Sequence, residues 1–367
     1  LASRPPRWPA LIALACVACA CAGALASPAE HPDLPLPFRA LVHWDSNWYE
    51  IIAREGYWYR PGEQSPVAFF PAFPLLVATL ALCGLNRFMG EVVIAFICGQ
   101  EALKWFWRWA SLQSSEPVAT DALWTMAVFP LAFFLYGVGY SDALFLLLAV
   151  GAFVALERDR PVLAALLGAG AALCRPVAPA IAVGLLVRSI ERRRRARLPV
   201  RAVDLVPALS GLGLVAFMAY LQWKVGDALA FAHVQSAPGW DQQPGWRTWV
   251  KIALVDAFRS GRLTWPEQAR LICHALVAGT GLLLLWPTFK RLGVGYGVYA
   301  TVALIIPVIG SKDFIGIGRY AFAAFPLFLT AALILRERKV LLRGWQVVSA
   351  ALLVVLAFQF GAGAYLS

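Results

Sequence analysis

Nine apolar runs punctuate the chain: Trp8–Ala26, Val92–Trp109, Ala119–Tyr136, Ser141–Leu156, Val203–Gln222, Leu271–Trp286, Val294–Ile309, Tyr320–Leu335 and Trp345–Gly363. Each is near the roughly 20 residues that cross a bilayer as a helix, or slightly short of it. Composition agrees, with 60% hydrophobic and 14% charged residues against about 25% charged in a soluble domain. A soluble enzyme, a disordered chain and a nucleic-acid binder are all excluded. The net charge of +11 does not argue otherwise, because Arg188 to Arg201 alone holds seven arginines and one glutamate. Beside apolar runs, such a stretch reads as a cytoplasmic loop under the positive-inside rule. The expectation is an all-α, polytopic membrane protein forming a single transmembrane domain over 1–367.

Two segments do not fit simple crossings. Between Glu157-Arg158-Asp159-Arg160 and Arg188–Arg201 there is too little chain for two full spans, and one span would put these flags on opposite sides. A helical hairpin broken at Arg175-Pro176 resolves this, since proline ends the first half-helix and an arginine at that depth requires a polar cavity. Parity also favours Ala68–Leu85 as a re-entrant outer-face helix broken at Pro71 and Pro74, with Arg87 left outside. The expected body is about nine full spans plus these two pieces. The run Trp8–Ala26 follows Arg4 and Arg7 and reads either as an uncleaved first helix, which is preferred, or as a cleavable signal.

This topology places the first loop (27–90 with its re-entrant piece), the Tyr140-Ser141-Asp142 turn, the second loop (224–267) and 311–319 on the outer face. Six acids against three arginines in Ser27–Pro66 suit that side. Trp48, Ile51, Ile52 and Glu55 share helical spacing and predict an amphipathic surface helix, with Asp45 at its N-cap position. The tryptophans have an ordinary use as interfacial anchors, and Trp105-Phe106-Trp107-Arg108-Trp109 is expected to be an interfacial belt. The seven cysteines lie in apolar stretches without metal spacing and are expected to be small buried thiols. No Asp-x-Asp or His/Asp/Glu ligand spacing occurs in the external loops, so no obligatory metal is expected.

Trp44-Asp45, Tyr49, Ile52-Ala53 and Gly56-Tyr57, followed by Phe69-Phe70-Pro71 and Pro74-Leu75-Leu76, resemble the signature of the PIG-V type of mannosyltransferase. The resemblance continues in order through Tyr140-Ser141-Asp142-Ala143-Leu144-Phe145 and Leu173-Cys174-Arg175-Pro176. Gly226-Asp227-Ala228-Leu229-Ala230-Phe231 with Gln235 and Trp240 follows, then Gly318-Arg319-Tyr320 with Phe325-Pro326-Leu327-Phe328. Two departures are His43, where the family usually has arginine, and Asp142, where it usually has glutamate. The first leaves a phosphate contact from position 43 open.

The resemblance implies a GT-C glycosyltransferase, inverting, with a lipid-linked sugar donor and no further cofactor. It would move one sugar, with mannose expected, from a polyprenyl-phosphate carrier to a lipid or glycan acceptor at the outer face. Asp45 is the candidate base and Asp142 its support or an acceptor-orienting group. Arg175 and Arg319 would face the leaving phosphate, although either has the ordinary reading of snorkelling to headgroups. Tyr49, Tyr140, His233, Gln235, Trp240 and Tyr320 complete the candidate substrate contacts. A transporter of lipid-linked sugars and a non-catalytic membrane scaffold are the competing readings. Composition suggests a bacterial inner membrane; acceptor, partner subunit and oligomeric state stay open.

Overall fold

A computed structural model describes residues 4–242, 245–261 and 263–366; parts of the second loop therefore lie outside the described residues. Among these the chain is entirely helical. The principal helices are α1 (Pro9–Leu25), α2 (Asp45–Glu55), α3 (Ala72–Leu82), α4 (Arg87–Gln113), α5 (Glu116–Ala127), α6 (Asp142–Glu157) and α7 (Pro161–Ala172). They continue as α8 (Ala178–Arg195), α9 (Ala202–Val225, opening as a 3-10 turn), α10 (Trp265–Leu292), α11 (Val294–Gly310), α12 (Ile317–Ala323), α13 (Pro326–Leu335) and α14 (Lys339–Gly361).

Three of these, α9, α10 and α14, are long and apolar enough to cross a membrane, and α12 with α13 makes a fourth if that bent pair is one span. On each of the three, only 28% of the most apolar stretch is buried inside the protein. Trp286, Leu283, Val340 and Val347 on α10 and α14 therefore point outward, which lipid tolerates and water does not. The chain is a membrane protein.

The body is assembled from pairs: α4 on α6, α6 on α7, α8 on α11, α10 on α11, and α1 on α14. The helix break expected at Arg175-Pro176 is present. Helix α7 ends at Ala172, α8 starts at Ala178, and the short break carries Arg175. Helix α6 fixes the spacing of the whole molecule. Its 16 residues span about 24 Å at 1.5 Å each, running from Asp142 at one end to Glu157 at the other.

Several expectations require correction. Ala119–Tyr136 is not one helix, because α5 stops at Ala127 and a short 3-10 turn at Ala132–Leu135 follows Pro130. Tyr320–Leu335 is also interrupted: α12 and α13 meet at 87°, with Pro326 opening the second helix at a position where its missing N–H costs nothing. Pro74 lies within the first turn of α3 and breaks nothing. The aromatic run on α4 is not an interfacial belt. Phe106, Trp107 and Trp109 are buried, and Trp109 Nε1 donates to Tyr296 Oη at 2.8 Å while its ring meets Phe325 edge-on at 4.7 Å. The cysteines divide, with Cys16, Cys98 and Cys174 buried but Cys83 and Cys273 exposed.

Small residues let α1 and α14 approach closely, as apolar helices in lipid require. A Cβ on Gly361 would run into the Ala20 carbonyl, whereas one on Gly344 of the same helix would meet nothing within 4 Å. Gly361→Ala is accordingly expected to destabilise the protein by about 1–3 kcal/mol through overpacking, and Gly344→Ala to be neutral or slightly stabilising. Thermal unfolding of both variants in the same detergent checks the contrast.

Candidate active site

Asp45 opens α2 from an unusual backbone. Trp44 before it has φ 54° and ψ −104°, a left-handed φ that a bulky residue rarely adopts. Such local strain persists only where surrounding contacts over-determine it, and several are visible. The Asp45 N–H donates to Tyr140 Oη at 3.3 Å, Ser46 Oγ donates to the Gly139 carbonyl at 3.1 Å, and the Gly139 N–H donates to the Leu41 carbonyl at 3.0 Å. A Cβ on Gly139 would come within 2.7 Å of Ser46 Oγ and of Glu91 Oε2, so an alanine there would push those side chains aside.

Asp45 is the first helical residue of α2, and Trp44 holds the N-cap position expected for Asp45. Asp45 Oδ2 binds Arg319 Nη1 at 2.8 Å across 274 residues. Arg319 also lies over the rings of Tyr140 (4.8 Å) and Phe134 (5.4 Å), and its Nε is buried without a partner. A second pair lies beside the first. Asp142, the first residue of α6, binds Arg175 from the hairpin tip, and Arg175 stacks over the Tyr320 ring at 4.2 Å. Tyr49 Oη and Ser141 Oγ are 2.9 Å apart and tie α2 to the start of α6.

The two pairs differ in access. Side-chain exposure is 12% and 21% for Arg319 and Asp45, but 6% and 3% for Arg175 and Asp142. A ligand arriving from solvent meets Asp45 and Arg319, whereas Asp142 is sealed and committed to Arg175. The geometry makes Asp142 a group that holds Arg175 in place. Both arginines carry carboxylate partners, so neither simply snorkels.

Tyr49, Tyr140, Arg175, Arg319 and Tyr320 thus converge with Asp45 and Asp142. His233 and Gln235 make local contacts within the second loop: His233 Nδ1 meets Asp227 Oδ2 at 2.6 Å, and Gln235 Nε2 donates to the Phe231 carbonyl. Trp240 reaches α2 and packs against Trp48, with centroids 5.8 Å apart. His43 is 6% exposed and meets Glu30 Oε2 through Nδ1 at 2.8 Å. With Glu30, Arg39 and Trp44 it lines a cavity of about 390 Å³ at the ends of α1 and α14. His43 Nε2 and Arg39 Nε have no protein partner.

Sequence reasoning missed Glu91, the fifth residue of α4, which is fully buried with neither carboxylate oxygen hydrogen-bonded to protein. It faces Ser46 across Gly139, directly behind the helix that carries Asp45. An acid at the mouth of an apolar run is the signal; it falls one residue before the Val92 boundary. His274, 4% exposed on α10, was also missed and lies beside Gly318. Among the described residues no three His, Cys, Asp or Glu side chains gather in metal-binding fashion.

No protein-family model and no curated protein matches the chain. Among solved structures, the apo crystal structure of the Archaeoglobus fulgidus oligosaccharyltransferase aligns over 97% of this chain and 56% of its own, with a TM-score of 0.48 and 12% identity. The chain thus spans about half the length of that enzyme, and at this similarity nothing about activity transfers. What fold and site define together is an all-helical membrane protein with two carboxylate–arginine pairs gathered at one end.

The charges are open to two tests. Asp142→Asn leaves Arg175 buried and uncompensated, which costs about 3–5 kcal/mol; Asp142→Leu with Arg175→Met should recover most of that loss in thermal unfolding. The second concerns Glu30 in the first loop. Burial acts to raise its carboxyl pKa, but hydrogen bonds from His43 and Asn47 outweigh burial and hold it below its ordinary value. Its contribution to loop order is present above the ordinary glutamate range of about 4.3 and is lost as pH falls through the depressed value. Hydrogen exchange over residues 27–47 should quicken in that window for the native chain, and Glu30→Gln should remove the dependence.

Proposed function

We propose that the chain is an inverting glycosyltransferase of the GT-C type, moving one sugar, taken as mannose, from a polyprenyl-phosphate donor to a lipid or glycan acceptor. Four of the sequence blocks that resemble the PIG-V type of mannosyltransferase lie far apart in the chain. They meet at one place through the Asp45–Arg319, Asp45–Tyr140, Tyr49–Ser141 and Asp142–Arg175 contacts. That convergence carries the reading. A stripe of structural residues would have no reason to collect two ion pairs and two tyrosines at a strained helix start.

The chemistry needs a carboxylate to take the acceptor's hydroxyl proton as its oxygen bonds to the anomeric carbon. The bond from that carbon to the phosphate oxygen breaks on the opposite face, and its electron pair leaves with the phosphate. Asp45 suits the role of base, because Oδ2 is held by Arg319 and no hydrogen bond falls on Oδ1 among the described residues. Arg319 suits the departing phosphate, since a guanidinium has five donors and its Nε is unspent. Arg175, held by Asp142 and Tyr320, adds positive charge next to it. The cavity lined by Trp44, the residue before Asp45, offers Glu30, Arg39 and an aromatic face to a polar ligand. On this reading the Asp45 end faces the outside of a bacterial inner membrane, and the arginine-rich end faces the cytoplasm.

The 87° bend between α12 and α13 and the break at Arg175 favour a second reading, transport of lipid-linked sugars, because discontinuous helices commonly mark transport sites. Transfer of radiolabelled mannose from polyprenyl-phosphate-mannose to membrane lipids separates the two. Vesicles with the native chain should label a lipid band, and Asp45→Asn at equal expression should lower the rate about 100-fold or more. Equal transfer by both would remove Asp45 as the base. Movement of the donor across the membrane without transfer would establish the transporter.

A further inference from the structure

We propose that the arginine-rich end of the molecule is a binding site for the headgroup of an anionic phospholipid. The proposal depends on the membrane location alone and stands apart from the transferase reading. A cavity of about 790 Å³ opens there, and its lining includes Glu157, Asp159, Arg188, Arg192, Arg193 and Arg195. At its deep side, Arg188 is 6% exposed and is spent on Glu157 (2.7 Å) and Glu191 (3.0 Å). These contacts hold the wall rigid. Arg192 bridges Glu157 and Asp159, Arg193 meets Asp204 at 3.1 Å, and Arg195 meets Glu191 at 2.7 Å.

Internal pairing does not exhaust the charge. Over residues 157–160 and 188–204 there are nine arginines against four acids. Arg158, Arg160, Arg194 and Arg197 are exposed, and no ion pair joins any of them to another described residue. None of these four lines the cavity itself, but each is the chain neighbour of a residue that does, so the surplus adds positive potential around the cavity. Guanidinium forks match phosphate oxygens two at a time.

An apolar surface continues from the same opening, and this distinguishes a lipid from a free phosphate. Pro161 and Val203 line the cavity and stand at the starts of α7 and α9, which pack together. Beyond them Val162, Leu166, Leu205 and Leu209 are 59%, 65%, 49% and 52% exposed. A basic pocket with an outward apolar track beneath it complements a phosphodiester carrying two acyl chains.

Native mass spectrometry of the delipidated full chain tests this with phosphatidylglycerol, phosphatidylcholine and inorganic phosphate as separate probes. Phosphatidylglycerol should bind tightest. Arg193→Gln with Arg195→Gln should weaken it about tenfold, the corresponding double lysine variant, which keeps the charge and loses the fork, should fall between that variant and the native chain, and Arg336→Gln with Arg338→Gln should leave it unchanged. If the double glutamine variant does not fold, Arg195→Gln alone, at a 59% exposed side chain, should still weaken binding severalfold. Equal affinity for the two lipids would overturn the proposal, as would equal loss in the Arg336/Arg338 control. Binding of inorganic phosphate as tight as that of the lipid would overturn the lipid assignment.

Discussion

The structure depends on how it keeps two arginines at the end of an apolar bundle. A guanidinium away from water is costly unless a carboxylate faces it. Arg175 and Arg319 each have a carboxylate, supplied by α6 and α2 respectively. The chain must therefore bring the hairpin tip, the start of α6, the start of α2 and α12 to one point. The tyrosine rings under the guanidinium planes, Tyr320 below Arg175 and Tyr140 below Arg319, complete the arrangement. The break between α7 and α8 and the bend between α12 and α13 are what let those arginines reach their acids.

Asymmetry between the pairs gives the site its direction. Asp142 and Arg175 are sealed and act as a fixed wall of charge, while Asp45 and Arg319 keep a path to solvent. The backbone strain at Trp44 belongs to the same logic. Trp44 takes the N-cap position with its left-handed φ, and Asp45, the first helical residue, binds Arg319. At the far end of α6, Glu157 repeats the pattern with Arg188, Arg192 and Tyr296, so one helix holds a charge cluster at each of its termini.

Much of this was legible in the sequence. The periodic apolar runs gave the helical membrane class, the parity of basic flags pointed to the break at Arg175-Pro176, and the ordered motifs singled out Asp45, Asp142, Arg175 and Arg319. What resisted reading was whatever depends on long-range packing. Apolarity alone does not distinguish Trp109, buried against Tyr296, from an interfacial tryptophan, nor does it show that Ala119–Tyr136 is cut at Pro130. Glu91 was lost because a boundary drawn by hydropathy trims the acid that ends an apolar run. His233 is a motif position whose partner in the structure is Asp227, six residues away, a local contact that the motif does not reveal.

On the proposed reading, the Asp45–Arg319 pair is where a lipid-linked sugar reacts. A cryo-electron microscopy structure of the full chain with a non-hydrolysable polyprenyl-phosphonate mannose analogue would show whether it does. The phosphonate is expected against Arg319 and Arg175, with the anomeric carbon presenting its opposite face toward Asp45. Density for the sugar elsewhere, with the Asp45–Arg319 pair closed and unliganded, would contradict that reading.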